Sequence, residues 1–208
     1  AKLEFSKTEH LTSEGYFTYL KEFKGGHSLN AVAGYSYFEK NGENFNAENY
    51  DFGVEGLKYW DLESGSYLTD GKAKMGSKKD ITERLFALYA RANYSYNDKY
   101  MVTATIRHEG SSKFAAENRW GNFWALSGGW RVSGEEFMKE FDWVNDLKIR
   151  FGYGVTGNND FDASYMANTL SRDQYWMLPS GSWAFVYGPS SNVNPYLGWE
   201  EKKEWNIG

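Results

Sequence analysis

The 208-residue sequence has no cysteine, only 3 prolines and only 3 histidines. Without cysteine there is no disulfide scaffold and no thiolate-ligated zinc or iron–sulfur centre. The histidines, His10, His27 and His108, stand too far apart for metal-ligand spacing, so no metal or other cofactor is expected. Long apolar runs are missing as well. No stretch reaches the about 18 residues that a membrane-spanning helix needs, which excludes such a helix but not a barrel, whose lumen and loops are polar. Positive charge is scarce: 23 Lys and Arg against 28 Asp and Glu leave a net charge of −5, and no basic face for a nucleic-acid partner. The opening Ala1-Lys2-Leu3-Glu4-Phe5 reads as strand rather than as a secretory leader, and Trp205-Asn206-Ile207-Gly208 reads as mid-strand. The chain is therefore expected to be an internal piece of a longer polypeptide.

Aromatics are abundant at 19%, and with 22 glycines they favour strands and turns over helices. The clearest pattern lies in LFALYARANYSYNDKYMVTATIRHEGSSKF, residues 85–114. Phe86, Leu88, Ala90, Ala92, Tyr94 and Tyr96 alternate with Ala87, Tyr89, Arg91, Asn93 and Ser95. After a tight Asn97-Asp98-Lys99 turn, Tyr100, Val102, Ala104 and Ile106 oppose Thr103, Thr105, Arg107 and Glu109. Such alternation puts apolar and polar side chains on opposite faces of an antiparallel hairpin. It recurs at Trp124, Leu126, Gly128, Trp130 and Val132, and again at Leu147, Ile149, Phe151, Tyr153 and Val155, with Arg131 and Arg150 on the polar side. Each run is about ten residues long, the length that a tilted strand needs to cross a bilayer core. Phe86, Leu88, Val102, Ile106, Leu126, Ile149 and Phe151 are expected to face lipid, and Arg91, Arg107, Arg131 and Arg150 the lumen. Tyr94, Tyr96, Tyr100 and Trp130 fall at one common end, where an aromatic girdle would lie.

Elsewhere the pattern predicts strands over 3–9 and 16–23, joined by a connection at 10–13, and a further strand over 29–37 after a Lys24-Gly25-Gly26 turn. Residues 39–81 show no sustained period and are expected to form a functional loop. Numbering the connections puts 10–13, 39–81, 110–121 and 157–198 at one end, and 24–26, 97–99 and 134–146 at the other. Outer-membrane barrels pair long extracellular loops with short periplasmic turns, and this parity fits them. Ser133-Gly134-Glu135-Glu136 has the spacing of a capping box, which predicts a short periplasmic helix with Phe137 and Phe141 on one face, or else a solvated turn with these two as buried anchors.

Four blocks then resemble a known family: NYSYNDKYMVTATIRHEGSSKF, NRWGNFWALSGGWRVSGEEFMK, WVNDLKIRFGYGVTGNN and NPYLGWEEKKEWNIG, in this order over residues 93–208. They are similar to the late barrel of SusC/RagA-type TonB-linked outer membrane proteins of Bacteroidetes. The chain departs from that pattern at Glu109, where the family usually has Asp, at Trp124, where it often has Pro, and at Ala115-Ala116-Glu117, which is less Gly-rich. The resemblance implies an all-β chain, an antiparallel transmembrane β-barrel segment of about eight strands within a barrel of roughly 22 strands. Residues 1–208 would then be a partial barrel domain, with the plug, the TonB box and the remaining strands outside it. It further implies import of oligosaccharides or peptides across the outer membrane, with TonB, a SusD-like surface lipoprotein acting as lid, and outer membrane lipid as partners.

Two rival readings come from the residues themselves. Glu200-Glu201 or Asp160 with Asp162 would serve a glycoside hydrolase as a carboxylate pair, yet adjacent residues of a strand point to opposite faces, and 28 acidic residues make such neighbours common. No catalytic residue is assigned on that basis. A soluble glycan-binding sandwich would use exposed Trp and Tyr as platforms, but it leaves the loop parity unexplained. The residues singled out for contact with substrate or lid are Tyr175, Trp176, Trp183 and Tyr187, in RDQYWMLPSGSWAFVY of the long outward loop 157–198. The alternative for this cluster, which also holds Phe185, is that the rings pack together or against neighbouring loops to order the segment.

Overall fold

The computed structural model describes residues 1–54, 56, 60–141, 143–161, 170–189 and 194–208. The chain is all-β among these residues, apart from short 3₁₀ turns. The strands are β1 (Lys2–Phe23), β2 (His27–Glu48), β3 (Lys74–Lys79), β4 (Glu83–Tyr96), β5 (Tyr100–Ser111), β6 (Trp120–Arg131), β7 (Lys148–Asn158), β8 (Leu170–Met177), β9 (Trp183–Pro189) and β10 (Glu200–Ile207). Eight of them form one sheet in the order β1-β2-β4-β5-β6-β7-β10, with β3 also on β2, and β8 pairs with β9. Two compact units share the chain, Ala1–Leu11 with Glu39–Glu83 and Thr12–Phe38 with Arg84–Gly208.

In the larger unit the ladders that join β4, β5, β6, β7 and β10 run without a slip. Tyr94 faces Val102, Ala92 faces Ala104 and Ala90 faces Ile106 across β4 and β5. Ile106, Ala104 and Tyr100 face Trp124, Leu126 and Trp130 of β6, and Leu126, Gly128 and Trp130 face Tyr153, Phe151 and Ile149 of β7. β10 continues the same face with Trp205 opposite Tyr153 and Ile207 opposite Phe151. The apolar side chains thus share one face, and Arg91, Arg107, Arg131 and Arg150 occupy positions on the other. Leu88, Ile106, Leu126 and Phe151 are each about half exposed, and only Ala87, Phe114, Phe123, Val132 and Val155 are buried apolar side chains among the described residues. A soluble fold would bury such a face against a second layer. An exposed apolar face of this kind suits a bilayer as its solvent.

The aromatic ends are separated by the right distance. From Trp130, at the level of Tyr100, to Trp120, at the level of Gly110, the register advances ten residues. That is about 33 Å along a strand, or about 23 Å of height at a tilt near 45°, against the roughly 25 Å apolar band of outer-membrane barrels.

The short-turn end is tied together by the turns themselves. Gly25 and Gly26 have φ of 87° and 80°, and Asn97 and Asp98 have φ of 52° and 55°, the left-handed conformations that tight hairpins require. Asn97 N–H donates to Gly26 O at 2.7 Å and Arg131 N–H to Lys99 O at 2.7 Å. His27 stacks on Tyr96 with centroids 4.6 Å apart, and its Nδ1 lies 2.6 Å from the Tyr94 hydroxyl. Glu135 gathers the girdle: it accepts hydrogen bonds from Tyr100 Oη (2.7 Å), Trp130 Nε1 (3.1 Å) and Lys99 Nζ (3.2 Å).

Three expectations are corrected. No connection exists at 10–13; β1 is one strand of 22 residues. The stretch 39–81 is not all loop, because β2 runs on to Glu48 and β3 pairs with it from Glu43 opposite Lys79 to Glu48 opposite Lys74. In both cases water on both faces allows charge on both, as the Lys2–Glu4 and Lys7–Glu9 ion pairs at 2.8 and 2.7 Å illustrate beside the first of them, and the period-2 signal weakens. β1 and β2, at about 70 Å of chain each, far exceed what a bilayer core needs. The rest of the loop is organised by buried Asn49, whose Nδ2 donates to Leu62 O and Gly65 O, both at 2.8 Å. The capping box does not form. Val132–Gly134 and Glu136–Glu140 are 3₁₀ turns without side-chain caps. Ser133 Oγ donates instead to Asp146 (2.8 Å), Glu136 pairs with Lys139 (2.8 Å), and Phe137 and Phe141 are exposed rather than buried anchors.

The register makes Leu126 and Ser127 opposite in facing. Replacing Leu126 by arginine is expected to destabilise the full protein in lipid by about 2–4 kcal/mol. A hydrophilic maleimide is expected to label Ser127→Cys and spare Leu126→Cys, and the reverse pattern would mean that the sheet is turned over. Glu135 generates a pH dependence, since the bonds from Tyr100, then Trp130, then Lys99 hold its carboxyl below the ordinary value. A lowered folded-state pKa stabilises above the unfolded value, about 4.3, and that stabilisation is lost as pH falls through the lower folded value. Thermal midpoints of the full protein are therefore expected to drop more between pH 7 and the acid range than those of Glu135→Gln, which starts lower; parallel curves would remove Glu135 from the account.

Candidate functional site

At the long-loop end the polar face of the sheet carries a cluster of aromatic rings. Phe114, 2% exposed, lies 5.1 Å between centroids from both Phe161 and Trp199, and Trp199 lies 5.1 Å from Phe123. Phe123 comes from β6, where it sits opposite Arg107. Its ring lies over Gly121 and Gly157, and a Cβ at either position would collide with it. Hydrogen bonds surround the rings: Asn159 Nδ2 donates to buried Ser111 Oγ (3.3 Å), Lys113 Nζ to Phe161 O (2.9 Å), Trp199 Nε1 to Arg119 O (3.0 Å) and Asn118 Nδ2 to Pro195 O (3.3 Å). Ser112 is fastened to β4 by two bonds of 2.8 Å with the backbone of Arg84. Beneath the cluster Arg107 holds Glu109 through two bonds of 2.8 Å.

Sequence reasoning missed this cluster. It treated 110–121 and 157–198 as separate loops, whereas their bases form one body. A signal was available, because Ser111–Phe114, Asn118–Phe123, Gly157–Asn159 and Trp199 belong to the four blocks that carried the resemblance.

Beyond this base, β8 and β9 form a hairpin, closed by Leu178 N–H donating to Ser182 O at 2.9 Å. The four residues singled out all lie on it, but not on one face. Tyr175 pairs with Phe185 and Met177 with Trp183, so Tyr175, Met177, Trp183, Phe185 and Tyr187 share a face, while Trp176 lies opposite Ala184 on the other. Tyr175 and Phe185 pack at 4.4 Å. Trp176, Trp183 and Tyr187 stay 66%, 65% and 68% exposed. Among the described residues, ring packing therefore joins Tyr175 to Phe185 and leaves Trp176, Trp183 and Tyr187 largely exposed.

The family described as TonB dependent receptor-like, beta-barrel, matches residues 3–208. The chain belongs to this family. A TonB-dependent receptor of Formosa agariphila is 34% identical over 206 residues, covering 94% of this chain and 18% of that protein. The TonB-dependent receptor SusC of Bacteroides thetaiotaomicron is 33% identical over 141 residues, 67% of this chain and 14% of that protein. The solved structure of the RagAB peptide transporter matches in fold with a TM-score of 0.80 at 20% identity, over 99% of this chain and 22% of that one. The chain thus spans about a fifth or less of these proteins' length. It is a SusC/RagA-type TonB-dependent receptor segment of the outer membrane, and the sandwich reading ends there. The hydrolase reading ends too, since the relatives are receptors and Glu200 and Glu201 sit at successive ladder positions opposite Asn158 and Gly157. Asp162 lies outside the described residues.

The close approach of Phe123 to Gly157 gives a stability test in the full receptor. Gly157→Ala is expected to cost about 1–3 kcal/mol by overpacking, read from the thermal midpoint, whereas Gly152→Ala, which would meet only Ser127 Cβ at 3.5 Å, should be nearly neutral. Equal effects of the two would argue against a packed mouth cluster.

Proposed function

We propose that this segment supplies wall and outward loops to a receptor that imports oligosaccharides or peptides across the outer membrane. Energy reaches it through TonB, which acts on parts of the protein beyond this segment, and a SusD-like surface lipoprotein closes over it as lid. The observation that carries the proposal is the pairing of an apolar, half-exposed outer face with an aromatic hairpin at the long-loop end. The outer face fits lipid, and no lipid rewards the rings of the hairpin on the far side of the mouth cluster.

Flat aromatic faces suit such a role, because they offer apolar area at little entropic cost and stack on sugar rings or peptide side chains alike. Trp183 and Tyr187, with Tyr175 beside them, form the broader contact face, and Trp176 serves the opposite face of the hairpin. Peptide transport is what the RagAB neighbour is described as doing, and its likeness to this chain is one of fold. No bond is made or broken by this segment in such a role.

The test is to replace Trp176 and Trp183 separately by alanine in the full receptor, confirm normal surface abundance, and measure uptake and lid binding apart. Loss of a central aromatic contact is expected to weaken one of the two by about tenfold or more. Because the two tryptophans face opposite ways, they should differ in which measurement moves. Unchanged uptake and lid affinity in both variants would remove the hairpin from the contact surface.

A further inference from the structure

We propose that Phe114, Phe123 and Trp199 form an aromatic lock that welds the two ends of the longest outward connection to the β5–β6 turn, and that Trp199 is its positioning residue. The part of this inference that concerns lid binding rests on the transporter reading above; the lock itself does not.

Both ends of the connection reach the same short turn. On leaving β7 the chain is held by Asn159 to Ser111 and by Phe161 to Phe114 and Lys113. On returning to β10 it is held by Trp199 to Phe114, Phe123 and Arg119 O, and by Pro195 O to Asn118. Trp199 meets rings from both the turn and β6, and its indole N–H caps a carbonyl of the turn as well. Gly121 and Gly157 leave the space in which Phe123 can lie flat between strands.

A long connection with two free ends would let its hairpin wander. With both ends welded to one turn, the connection that carries the β8–β9 hairpin leaves and re-enters the sheet at two fixed points. The same weld runs downward. Phe123 lies opposite Arg107, and Gly121 opposite Glu109, so displacement of the base bears on the Arg107–Glu109 pair of the inner wall. The lock therefore couples the two ends of the connection to the wall through packed rings, which resist small displacements and yield only by opening.

Hydrogen exchange read by mass spectrometry on the full receptor in detergent tests this. Trp199→Ala is expected to speed exchange across residues 112–119, far away in sequence, by about two- to tenfold, the worth of its ring contacts. Trp199→Phe, which keeps a ring, should stay close to wild type, and Phe161→Ala, at the other end of the connection, should open the same turn. Unchanged exchange over 112–119 in both alanine variants, with the receptor still folded by its thermal transition, would overturn the lock. Binding of the purified SusD-like lipoprotein should weaken in Trp199→Ala and be restored in Trp199→Phe; equal affinity in Trp199→Ala would overturn the positioning role. Absence of lipoprotein binding by the wild type would strike the transporter reading, while the exchange result would still decide the lock.

Discussion

Hydrocarbon offers no partner to a backbone N–H or C=O, and each group left unpaired there costs several kcal/mol. Every residue that crosses the bilayer must therefore sit in a continuous ladder, and a continuous ladder alternates its side chains with a period of two. The rest of this structure follows from that constraint. The registers of β4, β5, β6 and β7 proceed residue by residue between their turns. With the register held, Ile106 and Leu126 must point one way and Arg107 and Ser127 the other. Charge at the midplane costs about 2–4 kcal/mol, so a slip by one residue would be prohibitive in several strands at once.

The two ends of the strands solve different problems with the same residue types. At the short turns, aromatic side chains have an apolar body in the membrane and a polar tip that needs a partner. Glu135 provides that partner to Tyr100 and Trp130, and His27 provides one to Tyr94. At the long-loop end the aromatics on the polar face turn to one another instead. Phe114, Phe123, Phe161 and Trp199 exclude water from the loop bases, which gives those loops a small core of their own where the wall has none. Arg107 and Glu109 lie just below, paired and partly exposed, as charges on a wetted wall should be.

Much of this was legible in the chain. The facing of Phe86, Leu88, Val102, Ile106, Leu126, Ile149 and Phe151 could be read directly, because lipid on one side and water on the other write the pattern into every second residue. Turn positions at Gly25-Gly26 and Asn97-Asp98 were legible for a different reason, since few residues tolerate positive φ. Where both faces meet water, no side is favoured for apolar residues, so the run of β1 through 10–13 and the pairing of Glu43–Glu48 went unread. The Ser133–Glu136 spacing misled, because a capping box competes with tertiary partners, and Asp146 and Lys139 claimed the side chains that would have closed it.

The sequence by itself determined the face turned to lipid and the end from which long loops emerge, since each depends on local periodicity or turn chemistry, and the class of fold through the four blocks that resemble the family. Only the tertiary structure decided what the loops do at their bases. Phe114 and Trp199 are 85 residues apart, and nothing in the spacing of either announces that they meet; their contact follows from strand pairing that brings β5, β6, β7 and β10 side by side. The same holds for Trp176 and Trp183, which looked like one patch in the sequence. The register of β8 on β9 sets them on opposite faces, because a ladder that pairs Met177 with Trp183 leaves the preceding residue no choice but to point away.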